Sequence, residues 1–350
     1  MSRRCPFLFP LLFVREKCKA GVAIGGKIGY NEAVREVSDV RVIDLKHPGE
    51  AYALPDGGCG LCLGHFDGVH IGHTALIDAL KEANKQRAFP LPLGAMCFAE
   101  PPAVTLMKEP TPQITTLEHK LRLLGAAGLS FAVLYDFPAI MGLSPLDFVA
   151  DVLIRDCNCR LAACGFNYRF GAGGRGTPED LARLFGTQQD RRLVVAPPVM
   201  RAGRPVSSSI IRTLLENGHP DDAARLLGRP FLLEGTVENG RHVGRVLEAP
   251  TANLMFPHYS LIPAHGVYAV LCKVGKRTYR GVCNVGTRPT FESGGGVVCE
   301  VHLFDFSGDL YGRRMEVAFM RFLRPERAFD SAAALKKQIE ADIEQAKEVL

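Results

Sequence analysis

Gly64-His65-Phe66-Asp67-Gly68-Val69-His70-Ile71-Gly72-His73 lies between a short apolar run, Gly60-Leu61-Cys62-Leu63, and a segment of helical spacing. In that segment, Thr74 to Arg87, the apolar positions are Leu76, Ile77, Leu80 and Ala83, with charges between them. A short apolar run ending in glycine reads as a parallel strand buried on both faces. The ten residues therefore join a strand end to a helix start, the crevice where open α/β sheets bind ligands. His70 and His73, three apart on a first helical turn, face the same way beside N–H groups that attract anions. Two imidazoles and a helix start can hold phosphate oxygens and stabilise charge developing on a pentavalent phosphorus. A lone histidine pair is more often structural, but Gly64, Gly68 and Gly72 open close backbone approach and favour the nucleotide reading.

Outward from this stretch, strand and helix patterns alternate. Leu93 to Phe98, Phe131 to Tyr135 and Arg160 to Gly165 read as strands; Leu117 to Ala127 and Pro145 to Ile154 read as helices. This alternation predicts an open α/β domain with a mostly parallel sheet. Ser207-Ser208-Ser209 then supplies a serine N-cap for a helix over Ile210 to Glu216, ended by Gly218. Asp221 to Leu227 is a second short helix, and Gly228-Arg229-Pro230 reads as a boundary. Beyond it the period becomes two, with strands over Leu232–Val237, Val267–Val274, Tyr279–Asn284, Val298–Leu303 and Met315–Phe322. A helical segment of alternating charge, Ser331 to Val349, follows them. Short strands with one closing helix predict a small barrel, so the fold class is α/β followed by β.

The 350 residues, 47% hydrophobic, suffice for two cores. With 42 Lys+Arg against 37 Asp+Glu, the formal net charge is only +5 and no long basic run favours nucleic acid. No apolar stretch reaches membrane-spanning length, so neither a nucleic acid nor a membrane is an expected partner. Eleven scattered cysteines suit reduced thiols in a cytoplasm rather than a disulfide scaffold. Cys59-x-x-Cys62 and Cys157-x-Cys159 lack a partner pair at zinc-ligand spacing and read as buried thiols. Arg3 and Arg4 before the apolar run Cys5 to Val14 loosely suggest a leader, but Pro6 and Pro10 interrupt it. Residues 1–38 are read as a poorly structured extension.

The Gly64–His73 stretch resembles the nucleotidyltransferase motif of bacterial bifunctional riboflavin kinase/FAD synthetases, and the likeness covers most of the chain from about Val40 onward. Gly165-Phe166-Asn167-Tyr168-Arg169-Phe170-Gly171 is similar to that family's second nucleotide motif. The resemblance implies that Gly64, Phe66, Asp67, Gly68, His70, His73, Asn167 and Arg169 serve an ATP site. Ser208, Ser209 and Arg212 match a segment that holds ATP phosphates from a helix start; taken alone, these serines are no more than a cap. The sequence departs from the family pattern at His65, Ser209 and Ile210, where the family has mostly Asn, Thr and Arg. It also lacks the middle histidine in Phe98-Ala99-Glu100-Pro101-Pro102.

In the second domain, Pro250-Thr251-Ala252-Asn253 resembles the most diagnostic motif of riboflavin kinases, although the same residue types are common in turns. The Thr251 hydroxyl and the Asn253 carbonyl are oxygen donors of the kind Mg²⁺ takes together with phosphates. Gly240 and Gly244 are candidates for a flap over those phosphates. Glu300, in Cys299-Glu300-Val301-His302-Leu303-Phe304-Asp305-Phe306, matches the family's proposed catalytic base, suited to take a proton from an attacking hydroxyl. Asn284-Val285-Gly286-Thr287-Arg288-Pro289-Thr290-Phe291 and Arg324-Pro325-Glu326 are further matches. They imply phosphate or flavin contacts for Asn284, Thr287, Arg288 and Arg324.

The resemblance thus implies a Rossmann-like nucleotidyltransferase domain over 39–228 and a riboflavin-kinase-type antiparallel barrel over 229–350. The catalytic residues would be Glu300, His70 and His73. ATP would be the co-substrate, Mg²⁺ the metal, and FMN and FAD the successive products from riboflavin. A monofunctional riboflavin kinase and a flavin-sensing binding protein are the alternatives; the sequence leaves the oligomeric state open.

Overall fold

The structure, a computed structural model, describes residues 34–37, 40–45, 57–100, 105, 111–186, 190–238, 251–257, 259–287 and 297–350. Its first compact unit takes in residues up to Thr111 and Thr116–Val206; the second takes in Pro112–Thr115 and Ser207–Leu350.

A seven-stranded sheet organises the first unit. Its strands are β1 (Val34–Val37), β2 (Val40–Asp44), β3 (Cys59–Leu63), β4 (Leu93–Phe98), β5 (Phe131–Tyr135), β6 (Cys159–Gly165) and β7 (Arg192–Ala196). They lie in the order β1-β2-β5-β4-β3-β6-β7. All pairings are parallel except β1 with β2. Every residue of β3 and of β5 is buried, as strands covered on both faces must be. One face packs Leu61, Leu63, Val133, Phe148 and Leu181. The other packs Cys62, Ala95, Ala132, Leu76, Ile77 and Leu80. On this second face lie α1 (Ile71–Lys85) and α2 (Leu117–Ala126).

The segment expected as one helix from Pro145 to Ile154 begins as a single α-turn and widens into a π-helix over Phe148–Asp156. There the Cys157 N–H donates to the Val152 carbonyl, five residues back. A further helix, α3 (Pro178–Phe185), opens with a reciprocal cap between Thr177 and Asp180. The extension expected over 1–38 is corrected at its end. Val34–Val37 pairs antiparallel with β2, Val34 opposite Ile43, satisfying backbone groups that an edge at β2 would leave exposed. Residues 1–33 lie outside those described.

A two-residue hairpin, β8 (Met200–Arg201) with β9 (Arg204–Pro205), ends the first unit. The second unit begins with α4 (Ser208–Glu216) and α5 (Pro220–Leu227). Its barrel comprises β10 (Phe231–Glu238), β11 (Thr251–Met255), β12 (Gly266–Val274), β13 (Arg277–Thr287), β14 (Val297–Leu303) and β15 (Arg314–Arg324). They close in the order β10-β11-β14-β13-β12-β15, every pairing antiparallel. Tyr268, Phe231 and Phe319 are fully buried and in ring contact. The last helix, α6 (Ala332–Val349), sets Ala346 and Ile343 against Val267, Ala269 and Val282 on the strands.

The division between units falls earlier than the boundary read at Gly228-Arg229-Pro230. α5 packs on β10 and β15, and the Leu215 carbonyl at the end of α4 accepts from the Ala264 N–H. Gln113 joins the same unit by bonding both ways with the 259–261 segment.

Candidate functional site

In the sheet, the chain runs from β3 through β4 to β5 on one side and through β6 to β7 on the other. The switch therefore falls between β3 and β6, and both nucleotide motifs follow the carboxyl ends of these two strands. The turn after β3 is strained, with Phe66 at φ 55°, Gly68 at φ 81° and Val69 at φ 39°. A positive φ at a β-branched valine costs on the order of 1–3 kcal/mol and persists only where surroundings enforce it. Phe66 and Asp67 are almost fully buried and anchor the turn.

His70 is the N-cap of α1. Its Nδ1 accepts from the His73 N–H at 3.3 Å, while the His73 Nδ1 accepts from the His70 N–H at 3.3 Å. The two rings stack with centroids 3.7 Å apart and planes 12° apart. An Nδ1 that accepts carries no proton, so the hydrogen-bond pattern assigns each neutral ring its N–H at Nε2. Histidine thus serves here as the helix cap as well as the candidate phosphate donor, a double use that spacing alone did not reveal. No acidic residue occupies the first turn to compete with an anion.

After β6, the Phe166 N–H donates to the Ala196 carbonyl and the Tyr168 N–H to the Gly165 carbonyl. Asn167 and Arg169 are thereby held on an exposed turn. Reciprocal bonds between Phe170 and Gly176 close the glycine-rich loop that follows. Ser208, Ser209 and Arg212 fall in the second compact unit, and His70 and His73 in the first. Ser207 is the cap of α4, its Oγ accepting from the Ile210 N–H. Ser208 and Ser209 form the first turn, and the Arg212 Nε donates to the Pro112 carbonyl.

Strand register assembles the second group. On β14, Glu300 stands opposite Asn253 of β11 and opposite Asn284 of β13. His302 stands opposite Thr251 on one side and Val282 on the other. Directly paired residues share a sheet face with Cβ atoms about 5 Å apart, so motifs distant in sequence become neighbouring rungs. Thr251, Asn284, Glu300, His302, Arg324 and Asp342 help line a cavity of about 240 Å³. α6 covers part of it, contributing Leu335 and Ile339.

Arg324 lines this cavity, yet its guanidinium grips Asp342 of α6, with Nε at 2.9 and 3.1 Å and an Nη at 2.8 Å from the carboxylate. The Gln338 Nε2 donates to the same carboxylate at 2.7 Å, and Asp342 is nearly fully buried. Thr287 ends β13 opposite Val297. Gly240, Gly244 and Arg288 lie outside the described residues.

His302 and Asp342 are the cavity residues that sequence reasoning did not single out. The two-residue step from Glu300 pointed to His302; Asp342 looked like one of many helix-surface charges. Cys59 and Cys62 belong to opposite cores of the sheet, because three steps along a strand reverse the face. Among the described residues, nine cysteines are buried and free, no cluster of His, Cys, Asp or Glu suits a metal, and no helix is long and apolar enough to cross a membrane.

Residues 54–210 match the family model for FAD synthetase, and residues 227–350 match that for riboflavin kinase. A bifunctional riboflavin kinase/FMN adenylyltransferase of Bacillus subtilis (strain 168) is 34% identical, covering 88% of this chain and 97% of that protein. Its counterpart in Escherichia coli (strain K12) is 35% identical, with 82% and 91% covered. A crystal structure described as a macrolide-efflux protein from Streptococcus pneumoniae matches with TM-score 0.79 at 31% identity, over 87% of this chain and 98% of that one.

Proposed function

The chain belongs to the bifunctional riboflavin kinase/FMN adenylyltransferase family, phosphorylating riboflavin to FMN with ATP and adenylylating FMN to FAD, and we propose which residues carry each reaction. Phosphorylation belongs to the barrel. The riboflavin 5′-hydroxyl oxygen attacks the γ-phosphorus of ATP, its proton passes to the Glu300 carboxylate, and the bond to the departing ADP breaks. The observation that carries this assignment is the rung Asn253–Glu300–Asn284, which sets the base between two carboxamides on one face.

Thr251 and Asn253, two apart on β11, share that face, and their neutral oxygens suit Mg²⁺ completed by nucleotide phosphates. Held by these two residues, Mg²⁺ would supply positive charge to offset that of the phosphates. Arg324 acts through Asp342 as a positioning residue, fixing the cavity wall to α6.

Adenylylation belongs to the α/β domain. A phosphate oxygen of FMN attacks the α-phosphorus of the second ATP, pyrophosphate leaves, and no covalent enzyme intermediate is needed. The Nε2–H groups of His70 and His73 donate to the reacting phosphate, while Asn167 and Arg169 contact the nucleotide from the adjacent loop. Asp67, being buried, shapes the turn rather than touching ATP. The reduced, buried thiols support a cytoplasmic setting.

Product analysis tests the whole. With riboflavin and MgATP, the protein yields FMN and then FAD. Glu300→Gln lowers FMN formation by at least about 10²-fold, leaves riboflavin binding in place, and still converts supplied FMN to FAD. Normal FMN formation by Glu300→Gln would remove Glu300 from the role of base.

A further inference from the structure

Arg324 ends β15, and two residues further on the chain brings a carboxylate back to β13. Glu326 lines the same cavity as Asn284 and Glu300, and its Oε1 accepts from the Asn284 Nδ2 at 3.4 Å. Asn284 is the residue opposite Glu300 on the neighbouring strand. Two positions along β13, and so on the same face, stands Gly286. A Cβ built there would overlap the Glu326 Oε1, with Cδ at 2.7 Å and Oε2 at 3.0 Å. Gly286 does not take the left-handed backbone that would by itself call for glycine. The side chain it lacks leaves the space in which the carboxylate lies.

A carboxamide has a donating end and an accepting end, of nearly the same size, and its hydrogen-bond neighbours decide which way round it sits. An ionised carboxylate accepts only. Against Glu326, therefore, Asn284 presents its NH₂ group, and its Oδ1 lies on the far side of the amide. Directly paired residues have Cβ atoms about 5 Å apart, so the amide that Glu326 orients is the one beside the proposed base. Turned round, the same amide would exchange donor for acceptor there.

We propose that Glu326 is a positioning residue of the kinase reaction, acting through Asn284, and that Gly286 is the berth that admits it. The inference rests on Glu300 as the base. Glu326 touches no reacting atom in this role. It sets the donor and acceptor of Asn284 in place before riboflavin and ATP meet, and its loss acts on the rate through a misplaced neighbour.

Steady-state FMN formation by the full-length protein tests this through a double-mutant cycle. Glu326→Ala lowers kcat about tenfold, and Asn284→Ala lowers it by at least as much. In the Asn284→Ala background, Glu326→Ala adds less than about twofold, because the group it acts through is gone. Glu326→Gln keeps an oxygen able to accept from Asn284 and recovers at least about threefold of the loss. Gly286→Ala fills the berth and reproduces the Glu326→Ala loss, with less than about twofold added when the two are combined. Glu326 is exposed, so both of its variants keep the thermal midpoint of wild type within about 3 °C, and both convert supplied FMN to FAD at the wild-type rate. A kcat within about twofold of wild type in Glu326→Ala would overturn the proposal. So would losses that multiply in the double variant with Asn284→Ala, or a Gln variant as slow as the Ala variant. Glu300→Gln is assayed alongside: full turnover there removes the base reading itself, whatever the Glu326 cycle gives.

Discussion

At the scale of single residues, the nucleotide turn is defined by what lies close to His70. A Cβ added at Gly72 would stand 3.1 Å from both Cε1 and Nδ1 of the His70 ring, tighter than ordinary contact. The ring would have to slide, and it is simultaneously the cap of α1 and one face of the stacked pair. Gly72→Ala therefore lowers FAD formation from FMN about tenfold or more, since small misplacements of a positioning group have large effects on rate. FMN formation, carried by the barrel, stays as in wild type. Separate assays of the two steps check this; equal losses in both would contradict it. Gly72 was legible as a residue permitting close approach, but the group approaching is the neighbouring imidazole.

At the scale of elements, β15 and α6 are joined by the Arg324–Asp342 fork, whose carboxylate side chain is only 4% exposed. Removing one partner of such a pair leaves a buried charge uncompensated and costs about 3–5 kcal/mol. Asp342→Ala thus lowers the unfolding midpoint of the barrel and weakens riboflavin binding, followed by thermal melting and flavin fluorescence. The same pair marks where sequence reading stops. Elements were legible wherever the sequence carried a pattern: the continuous apolar runs of β3 and β5, buried throughout, and the strand-like runs of β12, β14 and β15. Thr251–Met255 escaped because Pro250-Thr251-Ala252-Asn253 carries turn residues, and only pairing with β14 makes it a strand. Glu300 and Asn253 were legible as motif members; that they are partners on one rung is a matter of register. Asp342 gave no signal, since its burial depends on a residue eighteen positions earlier across a loop.

At the scale of the whole molecule, buried thiols set the response to alkali. In the first unit, burial pushes Cys97 and Cys164 up to about 11, and Cys62, Cys157 and Cys159 also well above the usual thiol value. In the second unit, burial raises Cys272 and Cys283 in the same direction. An unfolded thiol ionises near ~8.5, so above that pH the unfolded chain holds fewer protons than the folded one. The stability these thiols contribute is fully present below about pH 8.5 and is lost as pH climbs towards their folded values. Each ionisation removes up to ~1.4 kcal/mol per pH unit. Lys120 works in the opposite sense, because burial lowers its pKa and folding of the first unit gains as pH rises towards ~10.4. Among the described thiols and Lys120, five losses against one gain fall in the first unit and two losses in the barrel unit, so the nucleotidyltransferase unit is expected to be the more sensitive to alkali. The thermal midpoint should hold from pH 7 to about 8.5 and fall beyond it, less steeply in Cys97→Ala. Samples held at pH 10 and returned to pH 8 should lose FAD formation before FMN formation. A midpoint constant to pH 10, or loss of FMN formation first, would refute this account of where the molecule gives way.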